Sequence, residues 1–350
     1  MPKGGLAMVI QSKVDVFSAK QDGYRFFRIP AIVQSPSGYI YAFCEGRKNS
    51  CSDSGRIDIV MRRSRDGGST WGKLHIVATD GVNTLGNPCP IVDRDTGCVC
   101  LVFCKNFTDD KENQILSGEK PPRTVWKTFG NEVGLKWSEP ERIANVRLDH
   151  WTWYATGPCH GIQTKSGRYI VPCNHAELDN VPKNVTRSHI IYSDDAGETW
   201  QIGGMSDWRT NEASVAETSE GLYMNMRSKR FGAVRAYAVS RDGGLTFSES
   251  KYDDELIDPY CQGSVKEYGK GVLFCNPASE KKREKLTLRY SPRLWKGFKK
   301  SIVIEEPFSA YSDLAVDGNG DILVLYECGR KEMYDNVVLA RVRFVSGARE

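Results

Sequence analysis

The sequence predicts an all-β fold, a six-bladed β-propeller of four-stranded antiparallel blades in a single domain spanning residues 1–350. Three observations predict it. One turn motif recurs along the chain, its copies lie about one blade apart, and short β-rich runs without helical periodicity fill the space between them.

The motif is S-x-D-x-G-x-T-aromatic. It stands at Ser64–Trp71 (SRDGGSTW), at Ser193–Trp200 (SDDAGETW) and at Ser240–Phe247 (SRDGGLTF). A worn copy runs from Glu132 to Trp137, and a fainter trace lies near Ser291–Phe298. Roughly 50–65 residues separate the aromatic positions 71, 137, 200 and 247, enough for four short strands and their turns. Asp, Ser and Thr side chains bond backbone N–H groups in tight turns, Gly supplies positive φ, and the aromatic plugs the turn into a core. Strand-like runs precede the full copies: Ile57–Met61, His189–Tyr192 and Arg235–Val239. Each copy therefore reads as a hairpin turn between outer strands. Arg168–Val171, Gly271–Phe274, Leu286–Tyr290 and Asp321–Tyr326 read as further strands, and the polar stretch 108–123 as a surface loop.

Composition narrows the function classes. A net charge of +4 on a chain that is 26% charged gives no nucleic-acid footprint. No run approaches the ~20 apolar residues a membrane helix needs. Eleven cysteines, an odd number, lie largely in apolar runs and read as buried free thiols. Cys98-x-Cys100 lacks zinc-ligand spacing, so no metal is expected. The N-terminus shows no signal-peptide pattern, which points to a cytoplasmic location with secretion as the alternative. The sequons at Asn106 and Asn184 carry little weight without such a leader.

A propeller brings its inner strands to a common axis, so distant residues meet there. Arg28 in FRIP, Arg227 after the apolar Leu222–Met224, and Arg283 before LTLRY are candidates for a shared carboxylate receptor, because guanidinium forks bind carboxylates bidentately.

FRIP (27–30), the repeated Asp motifs, TWYATG (152–157), Asn211-Glu212 with Asn225-Met-Arg227, NPAS with Arg283, and AYSDL (310–314) together resemble the exo-α-sialidase, or neuraminidase, family over nearly the whole chain. The resemblance implies a retaining hydrolase that removes terminal sialic (nonulosonic) acids from glycoproteins, glycolipids or oligosaccharides without a cofactor. It implies Arg28, Arg227 and Arg283 as the carboxylate clamp, Tyr311 as nucleophile, Glu212 as its partner, Asp53 as acid/base and Arg47 as an auxiliary arginine. Asp58, Glu217 and Arg289 compete with Asp53, Glu212 and Arg283; loop position and local motif favour the latter three. Trp151, Trp153 and Tyr154 are expected to wall the sugar, His160, Asn174 and His175 to meet its glycerol tail, and Gln262 to lie near the pocket. Cys159, where many relatives carry glycine, is expected to narrow the site toward the deaminated sugar.

The residue types suit the chemistry. A sialoside carries a carboxylate on its anomeric carbon and repels a carboxylate nucleophile; a neutral phenol avoids this. The acid/base role calls for a raised Asp53 pKa. The alternative is a non-catalytic sialoglycan-binding propeller, which would have no use for a Tyr–Glu couple.

Overall fold

The computed structural model describes residues 6–131, 136–178, 185–229, 233–329 and 333–346, with the Trp295 side chain left aside. Strand β1 (Leu6–Ser18) opens the chain but closes the ring, as the outer strand of the last blade. Blade I is β2 (Phe26–Gln34), β3 (Ile40–Arg47), β4 (Ile57–Ser64) and β5 (His75–Ala78). Blade II is β6 (Thr84–Val92), β7 (Val99–Asn106), β8 (Thr124–Gly130) and the short β9 (Glu141–Arg142). In blade III, β10 (Trp151–Thr156) and β11 (Ile162–Gln163) share the inner position beside β12 (Tyr169–Glu177), followed by β13 (Thr186–Ser193) and β14 (Gln201–Trp208). Blade IV is β15 (Thr210–Thr218), β16 (Gly221–Ser228), β17 (Val234–Ser240) and β18 (Lys251–Ile257). Blade V is β19 (Ser264–Tyr268), β20 (Gly271–Pro277), β21 (Glu284–Ser291) and the first half of the long β22 (Lys300–Val316). The second half of β22 crosses over to become the inner strand of blade VI, with β23 (Ile322–Cys328), β24 (Asn336–Ser346) and β1.

This is the six-bladed propeller that the sequence predicts. Pairing within blades is antiparallel. Alternate strand residues face neighbouring blades, so the core is a set of blade–blade seams. Blade I gives Phe27, Ile32, Ala42 and Val60 to the seam with Leu323, Leu325 and Leu339 of blade VI. Cys89, Ile91 and Val102 of blade II meet Val171, Ile191 and Trp200 of blade III. Each fully buried aliphatic side chain here contributes about 1.5–3 kcal/mol of transfer free energy. All eleven cysteines are free and nine are buried, as small apolar fillers of these seams.

The three full motifs form the turns between the third and fourth strands of blades I, III and IV. Their Ser–Asp–Thr bonding is the same each time, and the two that end in Trp add an indole bond. Ser64 Oγ donates to Asp66 Oδ1 (2.8 Å), Thr70 N and Oγ1 donate to the two Asp66 oxygens (2.9 and 2.6 Å), and Trp71 Nε1 donates to Gly68 O (3.1 Å). Asp195 and Asp242 repeat the pattern. Gly68 has φ +88°, and a Cβ there would lie 2.3 Å from Leu339, so only glycine fits. Residues 132–135 of the worn copy lie outside the described residues, but its Trp137 packs in the blade I–II seam. The trace at Ser291–Phe298 occupies the matching turn of blade V, where Phe298 packs on Phe274. Blade VI has no such turn because its outer strand is the chain start.

One element departs from expectation. Within 108–123, Glu112–Leu116 form helix α1, which Thr152 Oγ1 ties to blade III through Leu116 O (3.1 Å).

Candidate active site

The inner strands all run the same way, and five of them break register near their N-terminal ends: β2 between Arg28 and Ala31, β6 between Gly86 and Cys89, β10 between Trp151 and Tyr154, β15 between Thr210 and Ala213, and β22 between Ser309 and Ser312. A bulge inserts an extra residue and re-aims a side chain. Asn87, Trp153, Glu212 and Tyr311 lie within these bulges and Arg28 flanks one, and all five line one polar cleft of about 270 Å³. Ile29 and Asn87 hold φ near +58° there, a conformation that β-branched Ile29 adopts only where its surroundings over-determine it.

Buried carboxylates supply that determination. Glu327 on β23, fully buried, accepts from Arg28 Nε (3.0 Å) and Nη2 (3.2 Å), from Ile29 N (2.8 Å) and from Tyr311 N (3.2 Å). Glu45 shares a face of β3 with Arg47, two residues on. It accepts from Arg47 Nε and Nη2 (2.9 and 2.6 Å) and from Asn87 N (2.8 Å). Asp313 binds Ile32 N and His160 N, both at 2.9 Å. Glu327 thus ties inner strands β2 and β22, Glu45 ties β3 of blade I to β6 of blade II, and Asp313 ties β22 to β2 and to His160 of blade III.

At the centre, Tyr311 Oη donates to Glu212 Oε1 at 2.6 Å, and Arg227 Nη1 lies 3.2 Å from the same phenol and 2.8 Å from Glu212 Oε2. Asn211 Oδ1 accepts from Arg227 Nε (2.8 Å), while the Tyr260 ring supports that guanidinium from 4.3 Å. The Arg28 and Arg283 guanidiniums stand 5.4 and 5.3 Å from the Tyr311 ring centre. All three predicted arginines therefore converge on the predicted tyrosine. Burial and the Glu212 charge push the Tyr311 phenol well above its ordinary range, against the pull of Arg227 and Arg283. At rest the phenol keeps its proton and donates it to Glu212.

Asp53, in the β3–β4 loop, pairs with Arg47 Nη2 (2.7 Å) and lies 3.7 Å from Arg28 Nη1. Desolvation raises its pKa, but Arg47 and Arg28 outweigh that and hold the carboxyl below the usual range. This reverses the expected raised value: Asp53 is the counter-ion of Arg47 and Arg28. The competing residues lie elsewhere. Asp58 accepts from Tyr24 (2.7 Å) and Thr79 (2.6 Å), Glu217 from Lys165 N (2.8 Å), and Arg289 donates to Asn276 (2.9 Å).

Five predicted contacts fall outside the cleft. Trp151 is buried and stacks on His175, ring centres 3.5 Å apart, so neither reaches a sugar. Tyr154 is buried with its hydroxyl 3.0 Å from His189 Nε2. His160 is buried with Nδ1 2.7 Å from Asp313. Gln262 donates to Pro158 O and Ser312 O and accepts from Ser312 N, bracing the strand that bears Tyr311. Strand alternation explains the error at the aromatic run: Trp153 faces the cleft while Trp151 and Tyr154, across the bulge, turn into the seam. Asn174 does line the cleft. Cys159 is buried against the carbonyls of His160 and Ala213 and does not narrow it.

Sequence reasoning missed Glu327, Glu45, Asn87, Glu112, Arg123, Lys229 and Tyr260. Glu45 and Glu327 had a readable signal: each is a lone carboxylate inside an apolar run, AFCEG and LYECG. Arg123 is buried, donates to Asn106 Oδ1, Asn87 Oδ1 and Tyr154 O, and lies over the Trp153 ring at 4.7 Å. Glu112 reaches the cleft from α1; desolvation there and the Asp53 and Glu212 charges push its carboxyl up.

A larger cavity of about 520 Å³ opens at the other end of the inner strands, lined by Val33, Val215, Glu217, Lys266 and Ala315 among others. It gathers no phenol–carboxylate couple and no arginine cluster. The chemistry, rather than the size, marks the smaller cleft as the site.

Comparison with known proteins agrees. Residues 38–324 match the family model described as a BNR repeat-like domain. The sialidase of Micromonospora viridifaciens is 28% identical over 97% of this chain and 55% of its own length. Sialidase-3 of Homo sapiens is 31% identical over 71% of this chain and 63% of its own. The chain thus spans less than two thirds of either relative. Among solved structures, the Hadza microbial sialidase Hz136 superposes with a TM-score of 0.85 at 28% identity, covering 94% of this chain and 68% of that one. Fold, cleft and relatives agree that the chain belongs to the sialidase family of glycoside hydrolases.

Proposed function

We propose that the protein is a retaining exo-α-sialidase acting on terminal nonulosonic acids of glycoconjugates through a tyrosine-linked intermediate. The observation that carries this reading is the 2.6 Å Tyr311–Glu212 hydrogen bond set among Arg28, Arg227 and Arg283. The arginines grip the substrate carboxylate. Glu212 takes the phenol proton as Tyr311 Oη bonds to C2, and Asp53 protonates the departing oxygen as the glycosidic bond breaks. In the second step Asp53 takes a proton from water, the water oxygen bonds to C2, and Tyr311 leaves with its proton returned from Glu212. The substrate carboxylate displaces Asp53 from Arg28, which lifts the Asp53 pKa toward that of a working acid.

The test is time-resolved NMR of hydrolysis. Two displacements release the α-anomer first. Initial β-anomer overturns the covalent route, and failure to cleave any nonulosonoside overturns the activity.

One observation favours a finer reading. In a pyranose, C5 lies across the ring from C2. A sugar held by its C2 carboxylate therefore presents its C5 substituent to the wall opposite the clamp. Besides the clamp, the cleft is lined by Arg123, Asn87, Glu112 and Asn174, with Trp153 lying under the Arg123 guanidinium. Polar groups of this kind suit a C5 hydroxyl better than the methyl of an acetamido group. The deaminated sugar is thus the better substrate. Paired aryl glycosides with and without the N-acetyl group test this, and a higher kcat/KM for the N-acetyl form refutes it.

A further inference from the structure

Arg28 and Arg227 are each held by a carboxylate, Glu327 and Glu212. Arg283 is held differently. Among the described residues its guanidinium makes one hydrogen bond, from Nη1 to Tyr334 Oη at 3.1 Å. The same tyrosine presents its ring to Arg28, whose guanidinium carbon lies 3.9 Å from the ring centre. Tyr334 comes from the β23–β24 connection, packs edge-on against Phe308 at 5.0 Å, and holds φ +66°. A left-handed aromatic residue persists where surrounding contacts over-determine it, and such residues cluster at functional sites.

We infer that Tyr334 is a positioning residue for the carboxylate clamp: its ring orients Arg28 while its hydroxyl orients Arg283. The inference rests on the proposed carboxylate-gripping role of the arginines. Its physical basis is the cost of order. A lone arginine tip with no partner samples many rotamers, and each must be frozen when the carboxylate arrives. A second carboxylate beside Arg283 would fix it too, but would compete with the substrate for the guanidinium. A neutral phenol oxygen orients the fork and leaves its charge available. Cation–π contact does the same for the face of Arg28 that Glu327 leaves open.

Two ligands and three variants test it: a 2,3-dehydro nonulosonic acid, its carboxylate-reduced alcohol, and Tyr334→Phe, Tyr334→Leu and Arg283→Ala. Tyr334→Phe keeps the ring and loses the hydroxyl, so binding of the acid weakens about 10-fold, as for one lost hydrogen bond to a charged group, while binding of the alcohol is unchanged. Tyr334→Leu also loses the ring and weakens the acid further. In the Arg283→Ala background, Tyr334→Phe adds less than about a 2-fold further loss, because its partner is gone. Equal weakening of acid and alcohol, or additive losses, would make Tyr334 merely structural and overturn the inference, as would wild-type affinity in both Tyr334 variants. If Arg283→Ala itself leaves acid binding intact, the clamp assignment fails instead, a separate result.

Discussion

The blade-edge turns and the cleft are built from the same residue types by opposite means. In the turn at Asp66, the hydrogen bonds made by the motif's own side chains span two to four residues. In the cleft, Arg227 reaches Tyr311 across 84 residues, Tyr311 reaches Glu212 across 99, and Arg28 reaches Glu327 across 299. The turns are exposed at their Asp and Thr and repeat on three blades; their Asp, Ser and Thr close the local chain, while one glycine carbonyl in each accepts from a basic side chain of the preceding blade (Gly67 from Arg341, Gly197 from Lys127, Gly243 from Arg168). The cleft uses buried charges, five bulges and two strained backbones, and ties blades to one another. Local bonds set how well a blade edge closes; long-range bonds set where the reacting groups stand. Damage in the two regions should therefore differ in kind: every cleft substitution should hit catalysis, those at buried supporting charges stability as well, and turn substitutions stability alone.

The largest break in that comparison comes from Tyr311→Phe. Loss of the proposed nucleophile should lower kcat on an aryl sialoside by at least about 10³-fold while the melting temperature stays within a few degrees. Turnover near wild type would remove Tyr311 from the mechanism. Glu327→Leu is the next largest, and it tests the support of the cleft rather than the reaction itself. It leaves Arg28 buried without its partner and frees two bulge amides, so it costs about 3–5 kcal/mol of stability as well as activity. Glu327→Gln keeps the shape and should recover most of the stability but little of the kcat/KM. Equal recovery of both would mean that Glu327 only packs the fold.

The same contrast decides what could be read from the sequence. The turn motif is legible because its bonds are local: S-x-D-x-G-x-T encodes the whole turn, and from its spacing follow the blades. Tyr311, Glu212, Asp53 and the three arginines were identified through motif resemblance, and the structure brings all six to one cleft. Their geometry was not legible from the residues. Whether Trp151 or Trp153 faces the sugar depends on a bulge between β10 and β12, and no local pattern announces it. Arg123 was hidden in a polar stretch whose only reading was a loop. Glu327 left a trace, a charge inside LVLYEC, yet its partner lies near the other end of the chain.

A smaller effect concerns pH. Arg47 and Arg28 hold Asp53 below the usual carboxylate range in the free enzyme. A general acid works only while protonated, so kcat/KM on a poor leaving group falls as pH rises through the free-enzyme Asp53 pKa. Arg47→Gln removes a depressing charge. The basic limb should then move about one pH unit higher. An unmoved limb, or one that moves to lower pH, would take Asp53 out of the acid role. Aryl glycosides with good leaving groups need little protonation and should show the shift weakly.

The smallest effect belongs to the turns. Asp66, Asp195 and Asp242 are each held at about 2 by their Thr and Ser donors, against an ordinary carboxylate value near 3.9. A depressed folded-state pKa adds stability above the unfolded value and loses it as pH falls through the folded one. Each turn therefore contributes fully above about pH 4 and progressively less toward pH 2. Because these groups sit in water, the contribution is screened and modest. Asp66→Ala should cost about 1 kcal/mol at pH 7 and much less near pH 2, with kcat/KM unchanged at neutral pH. Pairing it with Asp195→Ala should add the two costs, since the turns lie on separate blades and share no partner. A loss of kcat from either change, or strong coupling between them, would mean that the blade edges also help place the cleft and would dissolve the division drawn between the two regions.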